Sequence, residues 1–358
     1  MRDGTSTVNG LRKIRVLIID DSALIRAILT EVVNSFPDLE AVGAAAHPLQ
    51  ARDMIKALNP DVLTLDVEMP KMDGLTFLER LMRLRPMPVL MISSLTERGS
   101  EVALNALELG AVDFIAKPKL DVASGLQGYA EDIASKIRMA FHSRASNHLQ
   151  GESRVSPVCH SGKFSTIEKI VLVGSSTGGT EALKVFLEPM PTDAPAILIA
   201  QHMPEAFTKS FAVRLNGLCR MNVKEAEDGE RVLPGHVYVA PGHSHLRVAR
   251  NGVGYMLRLG GDAPVNHHRP SVDVLFQSAV QSVGANGLVV MLTGMGRDGA
   301  QGMLQMRQTG AYTIAQDEAT SVVYGMPRAA VEVGAVDEIL PLGAIAGRVL
   351  ERLRGQIR

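Results

Sequence analysis

The sequence predicts an α/β protein with two domains and a linker between them. Short apolar runs of strand length alternate with segments of helical apolar spacing, from about residue 15 to 141 and again from residue 170. Over residues 142–168 this periodicity stops, and Ser, Asn, Gly and His become frequent. A chain of 358 residues is long enough for two or three domains.

The N-terminal half is predicted to hold five strands, each followed by a helix. The first strand contains Val16-Leu17-Ile18-Ile19, and the next apolar residues, Ile25, Ile28, Leu29 and Val32, mark one helix face. Such alternation predicts a parallel sheet that is covered by helices on both faces. The predicted strands are Arg15–Asp20, Ala41–Ala45, Val62–Leu65, Pro88–Ile92 and Val112–Ala116. The predicted helices are Leu49–Leu58, Gly74–Leu84, Glu101–Leu109 and one that presents Ala130, Ile133, Ile137 and Phe141.

The C-terminal half predicts a doubly wound α/β domain with one antiparallel hairpin. The hairpin is indicated by Leu246–Arg250 and Tyr255–Leu259, which flank the turn sequence Asn251-Gly252-Val253-Gly254. The other predicted strands are Ile170–Val173, Ala196–Ala200, His236–Ala240, Leu288–Leu292 and Tyr312–Ala315. The predicted helices are Glu181–Leu187, Glu205–Leu215 and Val272–Val283.

These elements set the expected domain limits. An N-terminal extension covers residues 1–13, the first domain 14–135, the linker 136–168 and the second domain 169–355. The stretch from Ser135 to Ile170 has six Lys or Arg and two Asp or Glu residues. An exposed linker is the expected explanation, and a docking surface for an acidic partner is the alternative.

Composition excludes several classes of protein. The 37 basic and 38 acidic side chains give a net charge of -1, and Trp is absent, which argues against a nucleic-acid binder. Two cysteines, Cys159 and Cys219, are too few for a disulfide framework. The polar start has no signal-peptide core, and no apolar run approaches the ~18–20 residues of a membrane span. We therefore expect a cytoplasmic protein without membrane insertion.

Polar side chains follow four predicted strands of the first domain. They are Asp20-Asp21 after the first strand, Asp66 after the third, Ser93 after the fourth and Lys117 after the fifth. Carboxyl ends of parallel strands share one sheet edge, so these groups should lie together. Crowded carboxylates repel each other unless a cation lies between them, and their oxygen ligands suit Mg²⁺. A lysine ammonium and a serine hydroxyl nearby could bind the oxygens of a phosphoryl group. Asp20-Asp21 alone would more often be a helix cap.

This combination resembles the receiver domain of bacterial response regulators across most of residues 14–135. The resemblance implies that Asp66 is the phosphoacceptor. It also implies that Asp20, Asp21, Asp66 and the Glu68 carbonyl hold Mg²⁺. The implied phosphoryl-switch residues are Ser93, Phe114 and Lys117. Many receivers carry Thr at the position of Ser93 and Tyr at the position of Phe114, so both are mild departures.

A serine-rich turn follows the first strand of the second domain. The run Gly174-Ser175-Ser176-Thr177-Gly178-Gly179 lacks the lysine of a P-loop and the spacing of a dinucleotide turn. It fits G-x-S-x-G with Ser176 at the centre, a pattern that exposes a serine on a strand-to-helix turn. Helix capping by the serines is an equal alternative from this motif alone.

A serine nucleophile needs a base and an acid that orients the base. His202 and Asp298 both follow predicted strands, so both should lie at the edge that carries Ser176. Asp317 is the rival acid. The Gly-rich turn around Met295 could present backbone N–H groups to an oxyanion. The weaker histidine candidates are His243, His245, His267 and His268.

Four segments of the second domain form a specific pattern. They are Gly174–Leu183 (GSSTGGTEAL), Gln201–Pro204 (QHMP), Ala240–His243 (APGH) and Thr293–Ala300 (TGMGRDGA). The order Ser–His–Asp differs from that of the α/β-hydrolases. Together these segments resemble the chemotaxis protein-glutamate methylesterase family, whose members also carry a receiver, and the resemblance covers roughly residues 14–352. It implies that Ser176 is the nucleophile, His202 the base and Asp298 its orienting acid, with Met295 supplying an oxyanion N–H.

The resemblance also implies an activity. It is hydrolysis of glutamate γ-methyl esters on the cytoplasmic domains of chemoreceptors, with release of methanol, and deamidation of certain glutamines there, with no cofactor. Phosphorylation of Asp66 by the chemotaxis histidine kinase should raise this activity, and we expect the unphosphorylated receiver to cover the Ser176 edge. The rival expectation is a non-catalytic binding module joined to a receiver.

Overall fold

A computed structural model describes residues 7–8, 11–69, 73–93, 97–117, 126–143, 168–252 and 254–354. The chain forms two compact units, Met1–Gln150 and Gly151–Arg358. Most of the predicted basic linker lies outside the described residues. Within the described residues, no helix is long and apolar enough to cross a membrane.

The first unit contains the five-stranded parallel sheet that the sequence predicts, and the structure gives its strand order as β4-β3-β5-β6-β7. Val16, Leu17, Ile18 and Ile19 on β3 are fully buried, since helices cover both faces of the sheet. The strands are β3 (Ile14–Ile19), β4 (Leu39–Ala45), β5 (Val62–Asp66), β6 (Val89–Ser93) and β7 (Asp113–Ala116). The helices are α1 (Ala23–Asn34), α2 (Pro48–Leu58), α3 (Gly74–Leu84), α4 (Glu97–Glu108) and α5 (Leu126–His142).

Two details of the first unit differ from the expected limits. Helix α5 continues to His142, past the predicted domain end at 135. Two short strands, β1 (Thr7–Val8) and β2 (Leu11–Arg12), pair antiparallel in the predicted N-terminal extension. Neither strand has enough residues to show a period of two, so the sequence pattern could not predict them.

The second unit contains a seven-stranded parallel sheet in the order β10-β11-β9-β8-β14-β15-β16, and a separate antiparallel hairpin of β12 and β13. The strands are β8 (Ile170–Ser175), β9 (Ala196–Gln201), β10 (Asn222–Glu225), β11 (His236–Val239), β12 (His245–Asn251), β13 (Gly254–Gly260), β14 (Gly287–Met291), β15 (Tyr312–Gln316) and β16 (Glu338–Leu340). The helices are α6 (Gly179–Leu187), α7 (Glu205–Leu218), α8 (Val272–Ser282), α9 (Ala300–Gln308), α10 (Met326–Glu332) and α11 (Leu342–Leu353), with a 3₁₀ turn at Gly284–Asn286.

The predicted doubly wound fold and hairpin are confirmed, but edge strands were missed. β10 and β16 have few buried side chains, so they lack the apolar run of an inner strand. Helices α9, α10 and α11 were not predicted either, although in α11 Ile345, Val349 and Leu353 are buried at helical spacing.

The order in which the chain adds strands to the sheet of the second unit reverses at β8, near the centre of the sheet. From β8 the chain adds strands on one side through β9, and later on the other side through β14. In such sheets, the crevice for ligands lies at the carboxyl ends of the strands beside this switch point. Helix α8 lies directly against β8 there: a Cβ on Gly174 would be 2.3 Å from Val272 Cγ1. The fold therefore brings the start of α8 to the same edge.

Candidate active site and acidic pocket

The acidic pocket of the first unit lies at the carboxyl edge of its sheet, as predicted. Asp66 ends β5 and Asp20 follows β3; both are fully buried, whereas Asp21 is exposed. One carboxylate oxygen from each of the three lies within 4.8 Å of the others. Lys117 Nζ donates to Asp66 Oδ2 at 2.8 Å and lies 3.7 Å from Asp20 Oδ2. Four predicted groups therefore meet here.

The electrostatics of the pocket favour a bound cation. Burial raises the pKa of Asp66 to about 6, although the hydrogen bond from Lys117 acts in the opposite direction. Burial likewise raises the pKa of Asp20. Asp20 Oδ2 is buried and has no hydrogen-bond donor within the described residues. A buried carboxylate oxygen without a donor, beside two more carboxylates, fits a hard divalent cation such as Mg²⁺.

The remaining predicted residues of this unit surround the pocket. Glu68 N–H donates to Asp66 Oδ1 at 3.3 Å. Ser93, buried at the end of β6, accepts a backbone hydrogen bond from Lys117 N–H at 2.8 Å. Phe114 is buried on β7, and Lys136 Nζ donates to its carbonyl and lies 5.5 Å from its ring centroid. The contact of Lys136 depends on how α5 packs, so no local sequence pattern indicates it.

Ser176 is placed at the switch point by β8 and by the turn after β14. Its N–H donates to Thr293 O at 3.0 Å, and a Cβ on Gly294 would lie 2.7 Å from Ser176 Cβ. Ser176 is partly exposed, and its hydroxyl makes no hydrogen bond to any described residue. The neighbouring Ser175 is fully buried, and its hydroxyl donates to Gln201 Oε1 at 2.6 Å. Of the two serines, only Ser176 can present its hydroxyl to a ligand.

His202 and Asp298 form a buried pair next to this turn. His202 directly follows β9, its N–H donates to Ser175 O, and its side chain is 7% exposed. His202 Nε2 and Asp298 Oδ2 are 2.8 Å apart. The other ring nitrogen, Nδ1, is buried and has no hydrogen-bond partner among the described residues. The ring therefore has one nitrogen bound to a carboxylate and one nitrogen available.

Asp298 is held as a carboxylate by the start of α8. Val272 N–H donates to Oδ2, and Ser271 Oγ and Asn266 Nδ2 donate to Oδ1, all within 2.8 Å. Burial by itself would raise the pKa of Asp298, but the hydrogen bond and charge of His202, together with these donors, hold it well below its usual range. The helix N-terminus adds a favourable dipole. Asp298 therefore stays charged beside the histidine.

The rival acid, Asp317, is not brought to His202. Its Oδ1 accepts hydrogen bonds from the N–H and the hydroxyl of Thr320, three residues further along the same loop. Its carboxylate is thus used to shape that loop. Met295, on the turn before Asp298, is 38% exposed at the edge that carries Ser176.

Four residues that contact this site were not predicted as parts of it. The ring of His268, regarded only as a weak candidate, stacks on the ring of His202, with centroids 3.7 Å apart and an angle of 13°. The other three are Gln201, Asn266 and Ser271. Ser271 caps α8 by accepting from Val274 N–H, so an N-cap signal before the Val272 helix could have indicated it. Asn266 and His268 lie in a loop without periodicity, and the sequence offers no comparable signal for them.

The chain matches two family models, one in each unit. The CheB methylesterase model matches residues 171–349, and the response regulator receiver domain model matches residues 16–123. A protein-glutamate methylesterase/protein-glutamine glutaminase of Cupriavidus pinatubonensis is 62% identical over 95% of this chain and 96% of its own length. One from Nitrosomonas europaea is 60% identical over 96% and 98%. The crystal structure of the Thermotoga maritima CheB methylesterase catalytic domain is 40% identical, with a TM-score of 0.50, and covers 53% of this chain and 98% of that one.

Fold and comparisons together define a response regulator whose second unit is an enzyme. The chain belongs to the CheB methylesterase family. The resemblance stated from its sequence motifs is confirmed.

The raised pKa of Asp66 predicts a pH-dependent effect of Asp66→Asn. The folded chain binds this proton more tightly than the unfolded chain, so Asp66 stabilises the fold below pH ~4 and loses that contribution as the pH rises through about 6. In metal-free buffer, the free energy of unfolding of the Asn variant, minus that of the wild type, should therefore increase between pH 4 and 7.5. Urea unfolding measures this difference. The control is Asp53→Asn, which changes an exposed carboxylate on α2. An equal increase in that variant would contradict the raised pKa of Asp66.

Proposed function

We propose that this enzyme hydrolyses glutamate γ-methyl esters on the cytoplasmic domains of chemoreceptors, releasing methanol, and deamidates specific glutamines there. The observation that carries the proposal is the buried His202–Asp298 hydrogen bond beside the turn of the partly exposed Ser176, whose hydroxyl bonds to no described residue. The names of the relatives, protein-glutamate methylesterase/protein-glutamine glutaminase, support the choice of substrate.

In the proposed mechanism, Ser176 Oγ attacks the ester carbonyl and His202 takes its proton. The accepting nitrogen is the one that Asp298 leaves unbonded, and the Asp298 carboxylate stabilises the imidazolium that forms. Collapse of the tetrahedral intermediate breaks the bond to methoxide, which leaves as methanol with the proton from His202. Water, activated by the same histidine, then hydrolyses the acyl-enzyme and frees Ser176. With an amide substrate, ammonia leaves in place of methanol.

The negative charge of the intermediate needs hydrogen-bond donors, and we assign one to the backbone N–H of Met295. Support comes from the contact of the preceding Gly294 with Ser176, which brings this turn to the nucleophile. A backbone donor that is fixed before reaction stabilises an oxyanion without reorganisation.

The first unit is proposed to regulate this chemistry. Asp66 would accept a phosphoryl group from the chemotaxis histidine kinase, with Lys117 and Ser93 binding phosphoryl oxygens and Phe114 responding as the switch aromatic. Asp20, Asp21, Asp66 and the Glu68 carbonyl would hold Mg²⁺, which supplies charge neutralisation between the acceptor and the phosphoryl oxygens. The support is the donor set and the Lys117–Asp66 contact. In this proposal the ester hydrolysis uses no cofactor. The enzyme would act in the cytoplasm, together with the chemoreceptor domains and the histidine kinase.

Ser176→Ala should abolish methanol release from methylated receptor. The change removes the attacking oxygen, and loss of a catalytic serine lowers kcat by about 10⁴- to 10⁶-fold. Ser175→Ala is the matched control, since it removes a hydroxyl that is buried against Gln201; its kcat should fall by no more than about tenfold. An inactive Ser175→Ala beside an active Ser176→Ala would reassign the nucleophile. If neither the variants nor the wild type released methanol, the non-catalytic binding module would be favoured.

Asp298→Asn should cost far more activity than Asp317→Asn. An amide at 298 cannot hold the His202 tautomer or stabilise the imidazolium, so kcat should fall by about 10³- to 10⁴-fold. The Asp317 carboxylate accepts its hydrogen bonds from Thr320 in its own loop, so this variant should stay within a few-fold of wild type. Steady-state kinetics of both variants measure the difference, and equal losses would remove the distinction between the two acids.

Phosphorylation should raise the activity of the full-length enzyme through Asp66. A small-molecule phosphodonor with Mg²⁺ should increase methanol release by wild type but not by Asp66→Asn. If the unphosphorylated receiver inhibits, a fragment starting near residue 165 should be active without a phosphodonor. The catalytic domain of the Thermotoga maritima relative, known as a separate structure, supports the use of such a fragment. A fragment no more active than unphosphorylated full-length protein would mean that the receiver activates instead of inhibiting.

A further inference from the structure

Gln201 connects the serine turn to the histidine segment, and neither the motif nor the family match assigns it a role. It is the last residue of β9, 3% exposed, and it pairs in register with Ser175 on β8. Ser176 and His202 directly follow this register pair. The side chain of Gln201 therefore lies between the backbone segments that carry the proposed nucleophile and base.

All hydrogen-bonding groups of the Gln201 amide are used. Oε1 accepts from Ser175 Oγ at 2.6 Å, while Nε2 donates to Ser176 O at 2.9 Å and to His202 O at 3.0 Å. The two carbonyl acceptors determine which way the amide points, because the flipped amide would place an oxygen against both. Only a carboxamide of this length offers one acceptor and two N–H donors at these positions.

The space around the amide is also fixed. A Cβ on Gly179, the first residue of α6, would lie 2.1 Å from Gln201 Oε1. Gly179 N–H in turn donates to Ser176 O at 2.8 Å, so the Ser176 carbonyl is bound from two sides. The absence of a side chain at 179 thus allows the amide to reach both segments.

We propose that Gln201 is a positioning residue that sets the separation of Ser176 and His202. The hydroxyl of Ser176 makes no hydrogen bond to a described residue, so the approach of the two side chains depends on their backbones. The Gln201 amide and the His202 N–H bond to Ser175 O hold those backbones together. Small misplacements of reacting groups lower rates steeply. This inference rests on the proposed ester hydrolysis at Ser176.

The test compares Gln201→Met with Thr313→Val in the full-length enzyme. Met keeps the length of Gln and removes both donors, so kcat for methanol release should fall about 10- to 100-fold, with KM within about twofold. The rate of Ser176 labelling by a fluorophosphonate should fall by a similar factor. Thr313 is buried near the N-terminal end of β15, away from the carboxyl edge of the sheet, and its hydroxyl makes two hydrogen bonds with Asp337. Thr313→Val should lower the midpoint of urea unfolding and leave kcat within about twofold.

Two further variants cover the case in which Gln201→Met does not fold. Gln201→Glu keeps the shape and the acceptor but has no donor for the two carbonyls, and Gly179→Ala displaces the amide while Gln201 remains. Both should lower kcat and the labelling rate without a matching rise in KM, in protein whose circular dichroism is that of wild type. A folded Gln201 variant with a kcat equal to that of Thr313→Val, or with a change in KM alone, overturns the proposal. A wild type that releases no methanol contradicts the proposed function itself.

Discussion

The charge on Asp298 is the constraint on which the candidate site at the carboxyl edge of the second sheet depends. A carboxylate buried this deeply is costly unless donors surround it, and five groups donate to it: His202, Asn266, Ser271 and the N–H groups of Val272 and Asp273. They come from the end of β9, from one loop and from the first turn of α8. Satisfying one charge therefore ties together the segments that shape the site, and the close packing of α8 on β8 holds them beside Ser176.

A buried aspartate has its pKa shifted in opposite directions in the two units. Asp66 also lies buried at the carboxyl edge of a parallel sheet, but beside another buried carboxylate, and its donors are one lysine and the Glu68 N–H at 3.3 Å. Asp298 receives helix N–H groups instead. Burial raises the pKa of the first carboxyl, and hydrogen bonds overcome burial at the second. The neighbouring donors, rather than the strand-end position, decide whether each carboxyl favours its charged form.

The sequence was informative for several polar groups that follow apolar strands. Asp20, Asp66, Ser176 and His202 could be placed because strand runs are visible and parallel strands share an edge. Gln201 was missed although it stands in the same position, because its role follows from the register of β8 and β9, which no local pattern encodes. The stacking of His268 on His202 depends on a loop with left-handed residues at 266 and 267. Such tertiary contacts have no periodic signal.

Asp20 Oδ2, which has no hydrogen-bond donor in the part of the chain that the structure describes, has a consequence for how the receiver would respond to pH. Protons and a divalent cation would compete for the same oxygens of Asp20 and Asp66, since burial favours the neutral acid and the cation needs the carboxylate. As the pH falls toward 6, a higher Mg²⁺ concentration would be needed for the same occupancy. Asp298 stays ionised over that range. Mild acid would therefore weaken cation binding in the first unit, while the Asp298 carboxylate in the second unit would keep its charge.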